Sequence, residues 1–426
     1  MQRKPKTSPG ARAVGLLRLP FTLLRGLRSL LGPGDAVRQS LIALALNSST
    51  SLMAGLFLGG ITGTLERLPG LLILVPAAIG LRGNVFSTFG NRLSTAIHIG
   101  QFELTWRRDS ILMQNIFASL VLTVSVSAGI AFLAKIIAVA VGVEGISFLT
   151  LAMISVLGGI LASAVVLAAT VALAWGGVRR GWDLDNVVAP VVSTLGDVLT
   201  LPALFLAAQL AGFRIATISL GVALTVIAVG AFAYGAFSQL PVLRHVTRES
   251  WPILLVAARL STMAGLVLQQ RLDTLAIFPV LLVLQPAFVS SAGALGGVLS
   301  SRLSSKLHLG VVDPVALPQA GVRFDAASVL LIGLPIYILN GLGAHFVARM
   351  AGLTSTGALL LLAITLVAGL ITVLFVIAIA YYGTVAAVVL RVDPDTYGIP
   401  VVTSSVDFVG SVALITTAVA FGVGGG

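Results

Sequence analysis

From residue 38 onward the chain alternates long apolar stretches with short polar breaks. Five stretches lie near 38–65, 69–98, 110–142, 146–178 and 186–212, and five more near 250–270, 277–307, 326–350, 355–390 and 398–424. A further apolar run, 215–237, separates the two groups. Each is long enough to cross about 30 Å of hydrocarbon as a helix. The runs are continuous, unlike the short alternating strands of an outer-membrane barrel. The pattern predicts an all-α polytopic membrane protein with about eleven transmembrane helices.

The segment before these runs, "ARAVGLLRLPFTLLRGLRSLLGPG", has another character. At the helical period Arg18, Arg25 and Arg28 fall on one side and Leu23, Leu24, Leu27, Leu30 and Leu31 on the other. That predicts an amphipathic helix lying on the cytoplasmic leaflet. No small-residue cleavage site follows a compact apolar core, so a cleaved signal peptide is not expected.

The two groups of five are copies. "SLMAG" at 51–55 returns as "STMAG" at 261–265, and Pro69 and Pro76 return as Pro279 and Pro286. "NRLSTAIHIG" at 91–100 returns as "SRLSSKLHLG" at 301–310, and "DLDNVVAPVVSTLGD" at 183–197 as "DPDTYGIPVVTSSVD" at 393–407. Every pair is 210 residues apart, which makes the chain a tandem duplication. The expected organisation is a basic amphipathic segment at 1–35, a first repeat at 36–212, a linker helix at 213–245 and a second repeat at 246–426. Five crossings alone would invert the second copy. The linker helix restores its direction, giving parallel repeats about a pseudo-twofold axis along the membrane normal.

Composition supports the membrane and sets the orientation. Hydrophobic residues make up 57% of the chain and charged residues 10%, against about 25% charged in a soluble domain. Without cysteine there is no disulfide or thiolate metal site, and the four histidines lack ligand spacing. The net charge of +11 is concentrated early, with eight basic residues at or before Arg38. In a membrane protein this points to anionic lipid and topology rather than nucleic acid. With the N-terminus inside, cytoplasmic loops carry Arg107, Arg108, Arg179, Arg180, Arg244, Arg248, Lys306, Arg323 and Arg391. External loops then carry only Arg67, Arg214, Arg271 and Arg349, so the C-terminus is expected outside, in the plasma membrane.

Against this background Asp197 and Asp407 stand out. They are equivalent across the repeat and lie about eleven residues into their segments, roughly 16 Å deep at 1.5 Å per residue. A carboxylate at that depth needs water, a cation or a partner, so a functional role is the default reading. Asn186, Pro190, Ser193, Asp197 and Thr200 step by helical spacings into one stripe, repeated by Thr396, Pro400, Thr403, Asp407 and Gly410. Each proline removes an N–H and frees the carbonyl of Asn186 or Thr396 toward a cavity. Hard oxygen ligands of this kind suit Mg²⁺, Ca²⁺ or Mn²⁺, and Mg²⁺ would be held through retained waters. Asp183, Asp185, Asp393 and Asp395 precede these helices, as N-terminal caps or as an acidic vestibule. A purely structural role for the buried pair and a protonated relay both stay open.

Arg82 is a cation inside an apolar segment, free to pair with a carboxylate or to snorkel outward. The glycine- and serine-rich segments around it and around 286–310 read as close-packing surfaces between repeats. Arg92 with His98, and Arg302 with His308, read as structural or lipid-facing.

"LILVPAAIGLRGN", "NRLSTAIHIG" and "DLDNVVAPVVSTLGD" resemble the MgtE-type divalent cation transporters, most closely the tandem-repeat solute carrier 41 family. The resemblance covers about 36–424. It implies a pore between two five-helix units, with Asp197 and Asp407 as the principal cation-contacting acids. One chain would supply both halves, so a functional monomer, a pseudo-dimer, is implied. Copy two departs from the pattern, with Gly293-Ala294 for Gly-Asn, Thr396 for Asn and "SVD" for "LGD". Phe86 replaces an acidic residue of the animal relatives. A large cytoplasmic sensor region is not expected here, and the N-terminal amphipathic helix is its candidate substitute. The expected function is that of a divalent cation channel or transporter, for Mg²⁺ before Mn²⁺, Ca²⁺ or Co²⁺. A Na⁺- or H⁺-coupled exchanger, a carrier of an organic solute and an intramembrane aspartyl protease are the alternatives.

Overall fold

A computed structural model describes residues 34–98, 100–102, 105–143, 146–180, 184–315, 318–390 and 399–423. Of residues 34–39, 98, 177–180, 184–190, 193, 308, 320 and 399 it describes the backbone alone. The amphipathic segment expected at 1–35 lies almost wholly outside these residues.

The described chain is helical throughout, and eleven helices are long and apolar enough to span a membrane. The first repeat comprises α1 (Gly34–Gly60), α2 (Thr62–Arg67), α3 (Leu71–His98), α4 (Ile111–Ala140), α5 (Phe148–Arg180) and α6 (Leu184–Gln209). The linker helix is α7 (Arg214–Ala236). The second repeat comprises α8 (Pro241–Gln269), α9 (Leu272–Ile277), α10 (Val280–His308), α11 (Ala320–Met350), α12 (Ala358–Val389) and α13 (Ile399–Ala420). Even the short α2 and α9, which the hydrophobic pattern did not separate from their neighbours, stand 210 residues apart.

One boundary differs from expectation. α8 begins at Pro241, nine residues before the apolar run at 250. Proline suits a first helical turn, where its missing N–H has no partner to lose. The polar extension is then anchored sideways. His245 Nε2 meets Glu249 Oε2 at 3.0 Å, and Arg248 Nε donates to the Ala236 carbonyl at 2.7 Å while covering the Phe237 ring.

The repeats exchange their first helices. α1 packs against α10 and α11 of the second repeat and meets its own repeat at α6. α8 packs against α3 and α4 of the first repeat and meets its own at α13. Glycine makes this possible. A Cβ on Gly55 would lie 1.9 Å from the Val283 carbonyl oxygen of α10, and one on Gly265 would lie 2.3 Å from the Ile73 carbonyl oxygen of α3. Backbone therefore rests on backbone, the mode by which small residues bring membrane helices together. α7 lies at the periphery against α4, α5 and α8, with Val226, Ile227 and Val229 turned outward to lipid.

Gly55→Leu and Gly265→Leu are expected to lower the thermal midpoint of the purified chain sharply, beyond the about 1–3 kcal/mol of ordinary overpacking. Gly60→Leu is the control, because nothing lies within 4 Å of a Cβ there. Equal midpoints for all three would contradict the close approach.

Candidate metal centre at the repeat interface

The helix exchange brings three elements together around each buried acid. Asp197 of α6 is only 7% exposed, and its Oδ2 accepts from Ser51 Oγ of α1 at 3.0 Å. It also accepts from Ser290 Oγ of α10, in the other repeat, at 3.1 Å. Asn47 Nδ2 donates to Ser290 Oγ at 3.0 Å, completing a relay into the carboxylate. Asp407 of α13 accepts from Ser261 Oγ of α8 at 2.6 Å. Ser51 and Ser261 precede their acids by the same 146 residues. The third corner differs. The counterpart of Ser290 is Gly80, where a Cβ would stand 3.6 Å from Ser261 Oγ and 3.7 Å from Asp407 Oδ2. Asn47 has Ala257 as its counterpart.

Magnitudes separate the two half-sites. Placing an aspartate near the bilayer centre costs about 2.5–3.5 kcal/mol on insertion scales. Hydrogen bonds to a charged group return about 1.5–3 kcal/mol each. Two donors offset the insertion cost at Asp197, and a single donor at Asp407 leaves it short of compensation. Asp407 is also half-buried rather than buried.

A cleft runs toward the second acid. Its outer part, with about 20 Å³ of room, enough for one water, is lined by Asn84, Thr88, Arg92, Ser250, Leu254 and Pro400. An inner part too tight for a water shares Asn84 and Leu254 and adds Gly80, Ser261 and Ser404. Arg92 donates to Ser250 Oγ at 3.2 Å and so forms part of the outer wall. Among the described residues no group of three or more His, Asp or Glu side chains could hold a metal ion. A cation held here would keep most of its water, as Mg²⁺ does when bound through one or two carboxylates.

The predicted stripe is partly realised. Asp197 and Asp407 both reach the interface. Thr200 is fully buried and donates to the Gly196 carbonyl at 2.5 Å, within its own helix. Thr403 donates to the Pro400 carbonyl at 3.2 Å and points its methyl toward Gly293. On α13 the cleft is lined instead by Pro400 and Ser404, one residue around from Thr403. Gly410 packs toward Thr372 and Phe288 inside the second repeat. Asp183, Asp393, Asp395 and Thr396 lie outside the described residues, as do the side chains of Asp185, Asn186, Pro190, Ser193, His98 and His308. Ser51 and Ser261 were missed as site residues, although both sit in the duplicated "SLMAG" and "STMAG" blocks.

Arg82 neither pairs with a carboxylate nor snorkels. It is 1% exposed, donates through Nη1 to the Ala78 carbonyl, and leaves Nε and Nη2 without partners. It fills the space over Gly159, where a Cβ would lie 2.8 Å from both Arg82 Nη2 and Ser127 Oγ. Copy two fills the same space the other way round. Ala292 stands in place of Arg82 and Tyr337 in place of Ser127, with the Tyr337 ring 2.7–3.0 Å from a Cβ on Gly369.

The family model MgtE, described as a divalent cation transporter, matches residues 75–207 and 285–417, two stretches again 210 residues apart. The chain belongs to the MgtE divalent cation transporter family. It is 27% identical to solute carrier family 41 member 2 of Gallus gallus over 414 residues, covering 88% of this chain and 69% of that protein. It is 24% identical to solute carrier family 41 member 3 of Mus musculus over 365 residues, covering 80% and 73%. Member 2 of Homo sapiens is 26% identical over 407 residues, covering 89% and 70%. No solved structure matches the chain. MgtE membership makes this a transporter rather than an enzyme, which removes the protease alternative.

The swapped fillings make a quantitative prediction. Arg82→Ala alone opens a void, and the double variant R82A/S127Y rebuilds the copy-two arrangement. The pair is expected to couple by about 0.5–3 kcal/mol in a thermal-unfolding double-mutant cycle. Strict additivity would mean that the two positions do not share one space.

Proposed function

We propose that this MgtE-family chain carries Mg²⁺ across the plasma membrane along the interface between its repeats, contacted through retained waters by Asp197 and Asp407. The observation that carries the reading is geometric. Two equivalent carboxylates on α6 and α13 each meet the first helix of their own repeat and the second helix of the other. Oxygen-only partners favour a hard cation. Two carboxylates also match a divalent charge.

The basic loops favour a cytoplasmic N-terminus and an external C-terminus. On that orientation the cleft lined by Arg92, Ser250 and Asn84 faces the cytoplasm. One chain contains both halves of the site, so the monomer is the transporting unit. An inside-negative potential supplies about 2.3 kcal/mol per charge per 100 mV, twice that for a divalent ion, so uncoupled influx is energetically sufficient.

Flux into proteoliposomes tests the reading, with Mg²⁺, Mn²⁺, Ca²⁺ or Co²⁺ outside and with or without a Na⁺ or H⁺ gradient. Mg²⁺ flux is expected without either gradient. Asp197→Asn with Asp407→Asn is expected to reduce it by at least about tenfold, equivalent to 1.4 kcal/mol. Wild-type flux in the double variant would sink the assignment, and flux that required a gradient would turn the chain into an exchanger.

A further inference from the structure

The two repeats are copies in backbone, yet the polar groups at their two interfaces are unequal. Where α1 meets α10 and α11, a network joins the repeats. Asn47 bonds Ser290, Ser48 Oγ lies 2.9 Å from Ser291 Oγ, and Asn340 Nδ2 donates to Ser291 Oγ at 3.0 Å. Where α8 meets α3 and α4, the five counterparts are Ala257, Gly80, Ala258, Leu81 and Ile130, all without side-chain polar atoms. Beside the acids one interface is laced by hydrogen bonds and the other is smooth; the α8 side bonds farther out, where Arg92 donates to Ser250 Oγ and Val242 N to Gln114 Oε1. The laced one ends on Asp197, and the smooth one borders the cleft at Asp407.

Resting on the pore reading above, we propose that the two acids divide the work. Asp407 is the carboxylate that meets the cation arriving through the Asn84–Ser404 cleft. Asp197 is the lesser, water-separated contact and chiefly holds the frame, latched by Ser51 of its own repeat and Ser290 of the other. Three observations agree. Asp197 Oδ2 is occupied by two donors and Asp407 Oδ2 by one. Asp407 is the more exposed of the two. The recorded cleft touches Gly80, Ser261 and Ser404, the surroundings of Asp407. A water-wrapped cation can displace one hydroxyl more readily than a relay that also ties two repeats together. The half with the more diverged sequence is thus the working half, and the half that keeps the motif holds the frame. Any movement that admits the ion is expected along the smooth α8–α3 contact rather than the laced α1–α10 contact.

Mn²⁺ binding by the purified full chain, read by electron paramagnetic resonance, tests this alongside Mg²⁺ flux. Asp407→Asn is expected to weaken Mn²⁺ binding by at least about tenfold, and Asp197→Asn by only about threefold while lowering the thermal midpoint. The latch can also be moved. A side chain at Gly80 has ordinary van der Waals room, so Gly80→Ser would give Asp407 the second donor that Ser290 gives Asp197. G80S is expected to weaken Mn²⁺ binding about tenfold with the thermal midpoint kept or raised, a split that a merely structural role would not produce. In the D407N background, Ser290→Gly frees Asp197 and is expected to restore part of the lost affinity. Equal losses in D197N and D407N, or unchanged binding in G80S, would overturn the inequality while leaving the pore intact. Unchanged flux in D197N, D407N and the double variant would remove the pore reading itself.

Discussion

The structure depends on two places where a helix lies directly on another helix's backbone. Gly55 sits against the Val283 carbonyl and Gly265 against the Ile73 carbonyl, at separations that no Cβ could occupy. These contacts let the first helix of each repeat leave its own bundle and settle in the other. In lipid there is no hydrophobic force to press helices together, so packing and hydrogen bonding must hold them. The exchange has a chemical consequence four residues earlier in each helix. Ser51 and Ser261 share a face with those glycines, and both hydroxyls land on the buried aspartates. The block that builds the interface also builds the site.

A buried acid in such a place is stable only if its charge is answered. Asp197 is answered within the protein, by two hydroxyls and an amide behind one of them. Asp407 has one hydroxyl and an adjoining cleft. Duplication within a single chain allows this difference, because the halves are free to change separately. An obligate symmetric dimer would carry every substitution twice. The Arg82–Ser127 and Ala292–Tyr337 fillings show the same freedom in the interior, where one space is closed by different residues in each copy.

Much of the fold was legible because membrane helices announce themselves by length and because the repeat kept one register. Spans, the linker helix and the equivalence of Asp197 and Asp407 followed from those two facts. What was hidden depends on contacts far apart in sequence. Nothing in "SLMAG" says that its glycine meets Val283, more than two hundred residues away, so the exchange and the serine donors were invisible. Thr403 and Ser404 are adjacent, and a stripe drawn at ideal spacing runs through Thr403, whereas the cleft is lined by Ser404, a single step around α13. Arg82 could be read as paired or snorkelling, since the space over Gly159 that holds it exists only after α3, α4 and α5 have packed. The early start of α8 was masked by charged residues that an apolar count assigns to a loop.

The central claim is that a divalent cation passes between the repeats, beside the two aspartates. Its most direct test is an experimental structure of the full chain with Mn²⁺, located by its anomalous scattering. A peak is expected in the interface between the two repeats, one water away from a carboxylate and on the Asp407 side. A peak enclosed within a single repeat, or one remote from both acids, would contradict it.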